Sequence, residues 1–411
     1  MNYLTFLLNN RRFLAFAVLM VACSAFGQTY FISLFGGEIR QTFSLTSGEF
    51  GSYYGLATLA SGFSLIWLGG LVDRLDLRLM ASVVIFSLAI ACLSIAFAPN
   101  WMVLVVSIYL LRLTGQGFMT HTAMTSVGRY YHSDRGKAVS IAGTGFSLGQ
   151  AAFPLIAVAL MGMIGWRQTW MVLAAVLLMI LIPFILWLLR GHKQRHTAHL
   201  QEQERQNIAA VTSAGANGTD WTRKAVLSDP RFYIVLPMLL AGPFIITGMF
   251  FHQVHLADEK GWTLEWMATG IICFSIVQFI GSLIAGPLID RYSARSLYGW
   301  TAVPMVLGLL VLASGDGKMI AIVYLMFGGL TAGMGATVSG AFWPELYGTK
   351  HLGSIRSMAS AIMIFGTAAS PALYGWLIDI GITMDSIAIG SALYSVLALA
   401  LLLGARHRGK F

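Results

Sequence analysis

The chain has 411 residues, a formal net charge of +9, 57% hydrophobic residues and only 10% charged ones, with a mean hydropathy of +0.74. A water-soluble domain carries about 25% charged residues, so most of this chain cannot face water. That excludes a soluble globular enzyme, a disulfide scaffold and a disordered chain, and leaves a protein that crosses a membrane many times.

Arg11 and Arg12 precede an apolar stretch ending in Met20-Val21-Ala22-Cys23, which mimics a bacterial lipoprotein signal. The run continues past Cys23 to Phe35, long enough to span, and is read as the first membrane helix. A span needs about 20 mostly apolar residues. Twelve such runs follow in order, at approximately 13–36, 49–72, 79–98, 101–127, 138–163, 167–189, 231–256, 266–289, 297–314, 319–343, 357–379 and 385–404. They are too long for strands and lack period-two alternation, so the prediction is an all-α membrane protein. Gly and Thr dilute the fourth and fifth runs. Cys23, Cys92 and Cys273 lie inside the runs with no His or Cys at ligand spacing, so neither disulfides nor a metal is expected.

The polar segments between the runs set the orientation. With the N-terminus in the cytoplasm, the inner segments hold twenty-one of the 26 basic residues, while the outer ones hold Arg40, Arg167, Lys260 and Lys318. This bias predicts that both termini are cytoplasmic, in a bacterial inner membrane. Basic clusters alternating with apolar runs also argue against nucleic acid as the partner of the positive charge. One long polar stretch, 190–229, carries Arg190, His192, Lys193, Arg195, His196 and His199, then Gln/Glu-rich sequence, then the sequon Asn217-Gly218-Thr219. It reads as a cytoplasmic linker between an N-terminal six-helix bundle (1–189) and a C-terminal one (230–411). Leu227-Ser228-Asp229-Pro230 reads as a cap and start for the seventh helix.

An internal repeat supports the two halves. Gly69-Gly70-Leu71-Val72-Asp73-Arg74-Leu75-Asp76-Leu77-Arg78 and Gly286-Pro287-Leu288-Ile289-Asp290-Arg291-Tyr292-Ser293-Ala294-Arg295 share one pattern at an offset of 217 residues. The same offset maps Gly136, Ser140, Ala142, Gly149, Ala151, Ala152 and Pro154 onto Gly353, Ser357, Ala359, Gly366, Ala368, Ala369 and Pro371.

With twelve spans, a central loop and this signature after the second and eighth spans, the whole chain resembles the major facilitator superfamily. The signature departs from the family pattern where Asp76 replaces a Gly and Leu77 a basic residue. The resemblance implies two pseudo-symmetric six-helix bundles and alternating access around a central cavity. It also implies an inner gate built on Asp73, Arg74, Arg78 and Arg129 in one half and Asp290, Arg291 and Arg295 in the other, a breakable latch of carboxylates against helix ends and guanidinia. Gly128-Arg129-Tyr130-Tyr131-His132-Ser133-Asp134-Arg135-Gly136-Lys137-Ala138, with Phe153-Pro154 and Gly165-Trp166-Arg167, is similar to the monocarboxylate and oxalate–formate branch. The eighth span lacks the basic residue usual in that branch, and the fifth lacks the Gly-Pro of drug/proton antiporters.

Every acidic residue falls in a loop or at a helix end, whereas Arg112 sits near mid-span in the fourth run. A buried guanidinium costs a few kcal/mol or more and needs an anion or several acceptors. The functional reading is that the cargo supplies the charge. The structural alternative is bonding to carbonyls and to Gln116; in the superfamily a helix-four arginine is sometimes assigned to proton coupling. Gln28, Tyr30, Gln116, His121, His252, Gln278 and Tyr324 are the other candidate lining groups, and His121 and His252 are candidate proton carriers. Pro243 between Gly242 and Gly248 predicts a bend in the seventh helix. Gly51/Gly55, Gly145/Gly149 and Gly329/Gly333 are spaced for close helix packing.

The expected function is a secondary transporter, acting as a monomer in the lipid bilayer without a cofactor, that moves a small organic anion by proton symport or exchange. The alternative is export of a neutral or cationic amphiphile. No nucleophile–base arrangement, phosphate loop or metal spacing suggests an enzyme, and the linker is too short for a sensor's signalling domain.

Overall fold

The computed structural model describes residues 3–131, 134–192, 221–348 and 351–407; within these, only the backbone of Tyr3, Leu4, Thr5, Asp73, Arg74, Arg135, Arg406 and His407 is described. Most of the 190–229 linker, with His196, His199 and the sequon, lies outside the described residues, whereas His192 is described and buried, 3.3 Å from the Tyr130 hydroxyl. Among the described residues there is no strand. The long helices are α1 (Tyr3–Cys23), α2 (Ser47–Leu68), α3 (Leu77–Ala96), α4 (Trp101–Tyr130), α5 (Arg135–Ile164), α6 (Trp166–Leu188), α7 (Pro230–Phe251), α8 (Leu264–Tyr292), α9 (Ala294–Leu312), α10 (Lys318–Tyr347), α11 (Leu352–Asp379) and α12 (Met384–His407). Eleven of these helical runs are long and apolar enough to cross a membrane. The other, α2, matches them with 22 residues but is diluted by Gly and Ser.

The helix ends depart from the predicted spans for local reasons. α1 begins well before residue 13, because Asn and Arg interrupt hydropathy without breaking a helix; Asn10 donates its side-chain amide to the Phe6 carbonyl, 3.0 Å away. It then ends early, passing through a tight turn at Ser24–Gly27 into an extended Gln28. α2 stops at Leu68, and Gly69-Gly70 separates it from a single turn, Leu71–Arg74. α7 ends at Phe251, with His252 leading into a separate helix, Gln253–Lys260. The expected cap of α7 is present: the Asp229 carboxylate accepts from the Arg231 amide, Pro230 fills the first turn, and Arg231 Nε stands 2.8 Å from Asp229.

The chain forms two compact units. The first comprises Met1–Gln28, Phe63–Gly149 and Arg167–Gly218. In it Gly145 and Gly149 of α5 lie against the Val18 and Ala22 carbonyls of α1, and Gly27 lies against the Leu111 carbonyl and the Gly115 Cα of α4. Arg167, at the start of α6, donates to the Ala96 and Ala98 carbonyls that close α3, at 2.6 and 3.1 Å.

The second unit comprises Thr29–Gly62, Gln150–Trp166 and Thr219–Phe411. Gly329 and Gly333 of α10 lie against the Phe274 and Gln278 carbonyls of α8, and Gly51 and Gly55 of α2 against the Pro371 and Ala368 carbonyls of α11. Aromatic residues fill the space between, including Phe250, Phe274 and Tyr374 in one cluster and Phe232, Phe342 and Trp343 in another. Lys260 is buried and ties three connections together, donating to Asp316 at 2.8 Å, Asp385 at 2.9 Å and the Gly315 carbonyl at 3.1 Å. Burial alone would lower the pKa of its ammonium; the bonds to the two carboxylates overcome this and hold it above its usual value.

Each glycine pair singled out by its spacing thus meets a neighbouring helix's main chain, where no Cβ fits. Gly333→Val in α10 is expected to destabilise the protein by about 1–3 kcal/mol, seen as a lower melting midpoint of the detergent-purified chain. Gly390→Ala in α12, where an added Cβ meets nothing within 4 Å, should not lower the midpoint and is expected to raise stability by up to about 1 kcal/mol through helix propensity.

Candidate functional site

In the first unit the chemistry centres on α4. Its middle turn, Arg112–Met119, is π-helical, a widened turn often found at functional positions. Arg112 is 3% exposed and donates from Nη1 to the Gly27 carbonyl at 3.0 Å. That carbonyl is in reach because Gly27 and Gly115 bring the two chains together at this level. Gln116 follows one turn later and is half-buried, as is Gln28 beside Gly27. Among the described residues Arg112 is the one charged side chain that is buried within a membrane-spanning segment. His121, two turns further along α4, bonds through Nε2 to the Gly69 carbonyl just past the end of α2, at 3.2 Å.

The second unit holds the other candidates, with Tyr30 packed on the apolar cluster that contains Tyr324. Tyr30 packs its ring 6.1 Å from that of Phe250, and its carbonyl accepts from Gln253 Nε2 at 2.8 Å. His252 is buried and donates from Nε2 to the Pro371 carbonyl at 2.9 Å. Tyr324 borders a small apolar void of about 20 Å³ with Phe250 and Phe274. Gln278 keeps a buried Oε1 without a partner among the described residues.

A polar cluster in the second unit was not singled out from the sequence. Ser33 donates to the Phe250 carbonyl at 2.7 Å, and Gln253 Nε2 donates to Ser33 Oγ at 2.7 Å. Asp379, the last residue of α11, accepts from the amides of Ser47 and Gly48 at 3.0 and 2.8 Å. It thereby caps the N-terminus of α2 from the far part of the chain. Arg40 donates to Ser47 Oγ at 2.8 Å. Arg40, His252 and His255 border a void of about 10 Å³, room for about one water. Thr46-Ser47-Gly48 does signal a helix start, but no local signal says that its acceptor lies over 300 residues away.

The repeated signature has an unequal fate. The side chains of Asp73 and Arg74 lie outside the described residues. Arg129 Nη1 lies 3.5 Å from the Val72 carbonyl of the turn that carries them, and the Arg78 amide is capped by Asp76 at 2.9 Å. In the second copy Asp290 is exposed and Arg291 sits over the Tyr292 ring at 5.1 Å. Glu345, at the end of α10, accepts from the Ala294 and Arg295 amides at 3.0 and 3.1 Å, and the Arg295 guanidinium donates to the Glu345 carbonyl. Sequence reasoning missed Glu345 because its role is to cap α9, a tertiary contact. Among the described residues no group of three or more His, Cys, Asp or Glu is placed to hold a metal ion.

Comparison with known proteins agrees with this architecture. The family model described as the Major Facilitator Superfamily matches residues 17–273 and 255–410. A curated protein of Arabidopsis thaliana, the "Probable plastidic glucose transporter 1", is 28% identical over 107 residues, a match covering 26% of this chain and 20% of that protein. Two crystal structures of a bacterial homolog of the human lysosomal transporter Spinster, both inward-facing, share the fold. The unoccupied one has a TM-score of 0.70 at 14% identity, covering 97% of each chain. The occupied one has 0.71 at 16%, covering 96% of each.

The Asp379 cap carries a direct test. Asp379→Ala removes the acceptor of two amides at the start of α2 and is expected to cost about 1–2 kcal/mol, read as a lower melting midpoint. Asp379→Asn, which keeps one good acceptor, should recover part of the loss.

Proposed function

Because the chain belongs to the Major Facilitator Superfamily, we propose that it is a secondary transporter working by alternating access, and that its cargo is a small organic anion of the monocarboxylate kind. The observation that carries the reading is Arg112, a fixed positive charge buried in a membrane helix. Its bond to the Gly27 carbonyl fixes the guanidinium in place, and its planar fork matches the two oxygens of a carboxylate. In the described conformation Arg112 is 3% exposed, so cargo reaches it only if the π-helical turn shifts during the cycle. Glucose, named for the plant relative, is uncharged and offers no carboxylate for the planar fork of the guanidinium to grip. The similarity of 128–138, Phe153-Pro154 and 165–167 to the oxalate–formate branch supports a carboxylate cargo.

Transport is by proton symport or exchange, in a bacterial inner membrane, by a monomer with both termini in the cytoplasm. The N-terminal (1–189) and C-terminal (230–411) bundles rock about the cargo, joined by the 190–229 linker. The outer gate is the cluster of Asp379, Ser47, Ser33 and Gln253, whose bonds are individually weak enough to break. The inner gate is the repeated signature, Asp73, Arg74, Arg78 and Arg129 with Asp290, Arg291 and Arg295, to which Glu345 is added. His121 and His252 stand as proton carriers, because no carboxylate lies at mid-membrane depth.

The test is uptake of radiolabelled monocarboxylates into proteoliposomes. Arg112→Ala is expected to abolish anion uptake, and Arg112→Lys, which keeps the charge but loses the planar fork, to reduce it at least tenfold. Anion uptake left intact by Arg112→Ala would overturn the reading. A monocarboxylate at about 100 times its Kd should also stabilise the unaltered protein by about 2.7 kcal/mol.

A further inference from the structure

At the end of the first unit where α1 begins and α6 stops, two distant stretches of chain bring three arginines to one place. Arg11 and Arg12 lie on α1, Arg190 lies one turn past Trp187 of α6, and all three are exposed. Two contacts hold the stretches against each other. The Arg12 guanidinium lies over the Trp187 ring, 4.6 Å from its centroid. Phe13 stacks on the ring of buried His192, with centroids 6.3 Å apart and planes 6° from parallel. The backbone between these anchors is itself hydrogen-bonded: the Arg190 amide donates to the Trp187 carbonyl at 3.2 Å, and the His192 amide to the Leu189 carbonyl at 3.1 Å. Arg190 is thus carried on a bonded turn between two residues that each touch α1, at Arg12 and at Phe13.

No carboxylate answers this charge. Among the described residues none of the three arginines forms an ion pair. The chain has no acidic residue before Glu38 and none between Asp134 and Glu202. The two acidic side chains described in this unit are engaged elsewhere: Asp76 caps α3, and Asp134 is bound by Lys137 at 2.7 Å. Leading up to the arginines, α6 turns an apolar face outward. Val176, Met179, Ile180, Phe184 and Trp187 are all exposed at the three-and-four spacing of one helix side, and the Phe184 and Trp187 rings stack with centroids 5.5 Å apart. One tryptophan or arginine at a helix end is ordinary membrane anchoring. Here cations from two stretches of chain gather at the end of one apolar track, which is the layout of an amphiphile with a negatively charged head.

From this layout we infer that the surface where α1 meets the end of α6 binds one anionic glycerophospholipid. Arg11, Arg12 and Arg190 hold its phosphate, for which the planar guanidinium fork is suited, and an acyl chain lies along Trp187, Phe184 and Ile180. The three cations favour such a lipid over a zwitterionic one, whose ammonium they repel. The site lies wholly within the first unit and does not rest on the assignment of Arg112.

The experiment is native mass spectrometry of the full-length protein, released from detergent micelles and titrated with phosphatidylglycerol or with phosphatidylcholine of the same acyl chains. The expected result is a first bound phosphatidylglycerol whose Kd is about tenfold or more below that of phosphatidylcholine. Each cation beside a headgroup contributes about fivefold. Arg190→Gln should therefore weaken the first phosphatidylglycerol about fivefold, and Arg12→Gln/Arg190→Gln about 25-fold. Arg223→Gln/Lys224→Gln, which removes two exposed cations of the second unit, should bind phosphatidylglycerol as the unaltered protein does, and so should Arg112→Ala. Ammonium phosphate at about 1 mM should leave the lipid bound. The inference is overturned if the two lipids bind alike, or if Arg12→Gln/Arg190→Gln, eluting as the unaltered protein does, keeps its affinity. It is also overturned if the second-unit pair loses as much, or if phosphate displaces the lipid, which would make the occupant a free anion. Should the double variant fail to fold, Arg190→Gln and the comparison of the two lipids still decide the matter. Loss of anion uptake in Arg112→Ala is scored separately, so the two readings can fail independently.

Discussion

Inside a bilayer two helices gain little by hiding apolar side chains from each other, because lipid tails are as apolar as leucine. What holds this chain together is close approach of main chain to main chain. Gly145 and Gly149 on α5, Gly329 and Gly333 on α10, and Gly51 and Gly55 on α2 each rest against a carbonyl of a neighbouring helix. There dispersion and weak Cα–H···O contacts act at the shortest range available. The Gly27–Gly115 crossing belongs to the same set, and its closeness is what lets Arg112 reach the Gly27 carbonyl. The most chemically exacting residue of the first unit therefore depends on two residues with no side chain at all.

Helix ends present the complementary problem. The first turn of each helix leaves amides unsatisfied, and the partial positive charge there favours an anion. Three carboxylates in the second unit answer this from a distance: Asp379 at α2, Glu345 at α9, and Glu259, which accepts from the Met384 amide at α12 at 3.0 Å. Thr222, Asp229 and Thr263 do the same job locally. The local caps fix where a helix begins. The distant ones also fix which part of the chain it begins against.

The fold class was legible because hydropathy is a one-dimensional signal. Apolar runs, basic clusters and the 217-residue repeat all lie along the chain, and the glycine spacing announced the seams in advance. Boundaries were less legible where hydropathy and helicity part company, as at Asn10 and Arg11 in α1 or at the glycines that end α2. The candidate site was only partly legible. Arg112 stood out because one charge in a long apolar run cannot hide. The partners of Asp379 and Glu345 could not be read, since each is joined to a helix end by folding and not by sequence proximity.

The glycine seams bear on how such a protein can diversify. A contact made by backbone atoms reads no side-chain chemistry, so mutation cannot tune it by degrees; a glycine there is either kept or the crossing is lost. Other side chains, by contrast, can be exchanged without touching a seam. Scaffold and selectivity are thus written in separate alphabets, and a descendant could change what it binds by altering side chains away from the seams while every crossing stayed as it was.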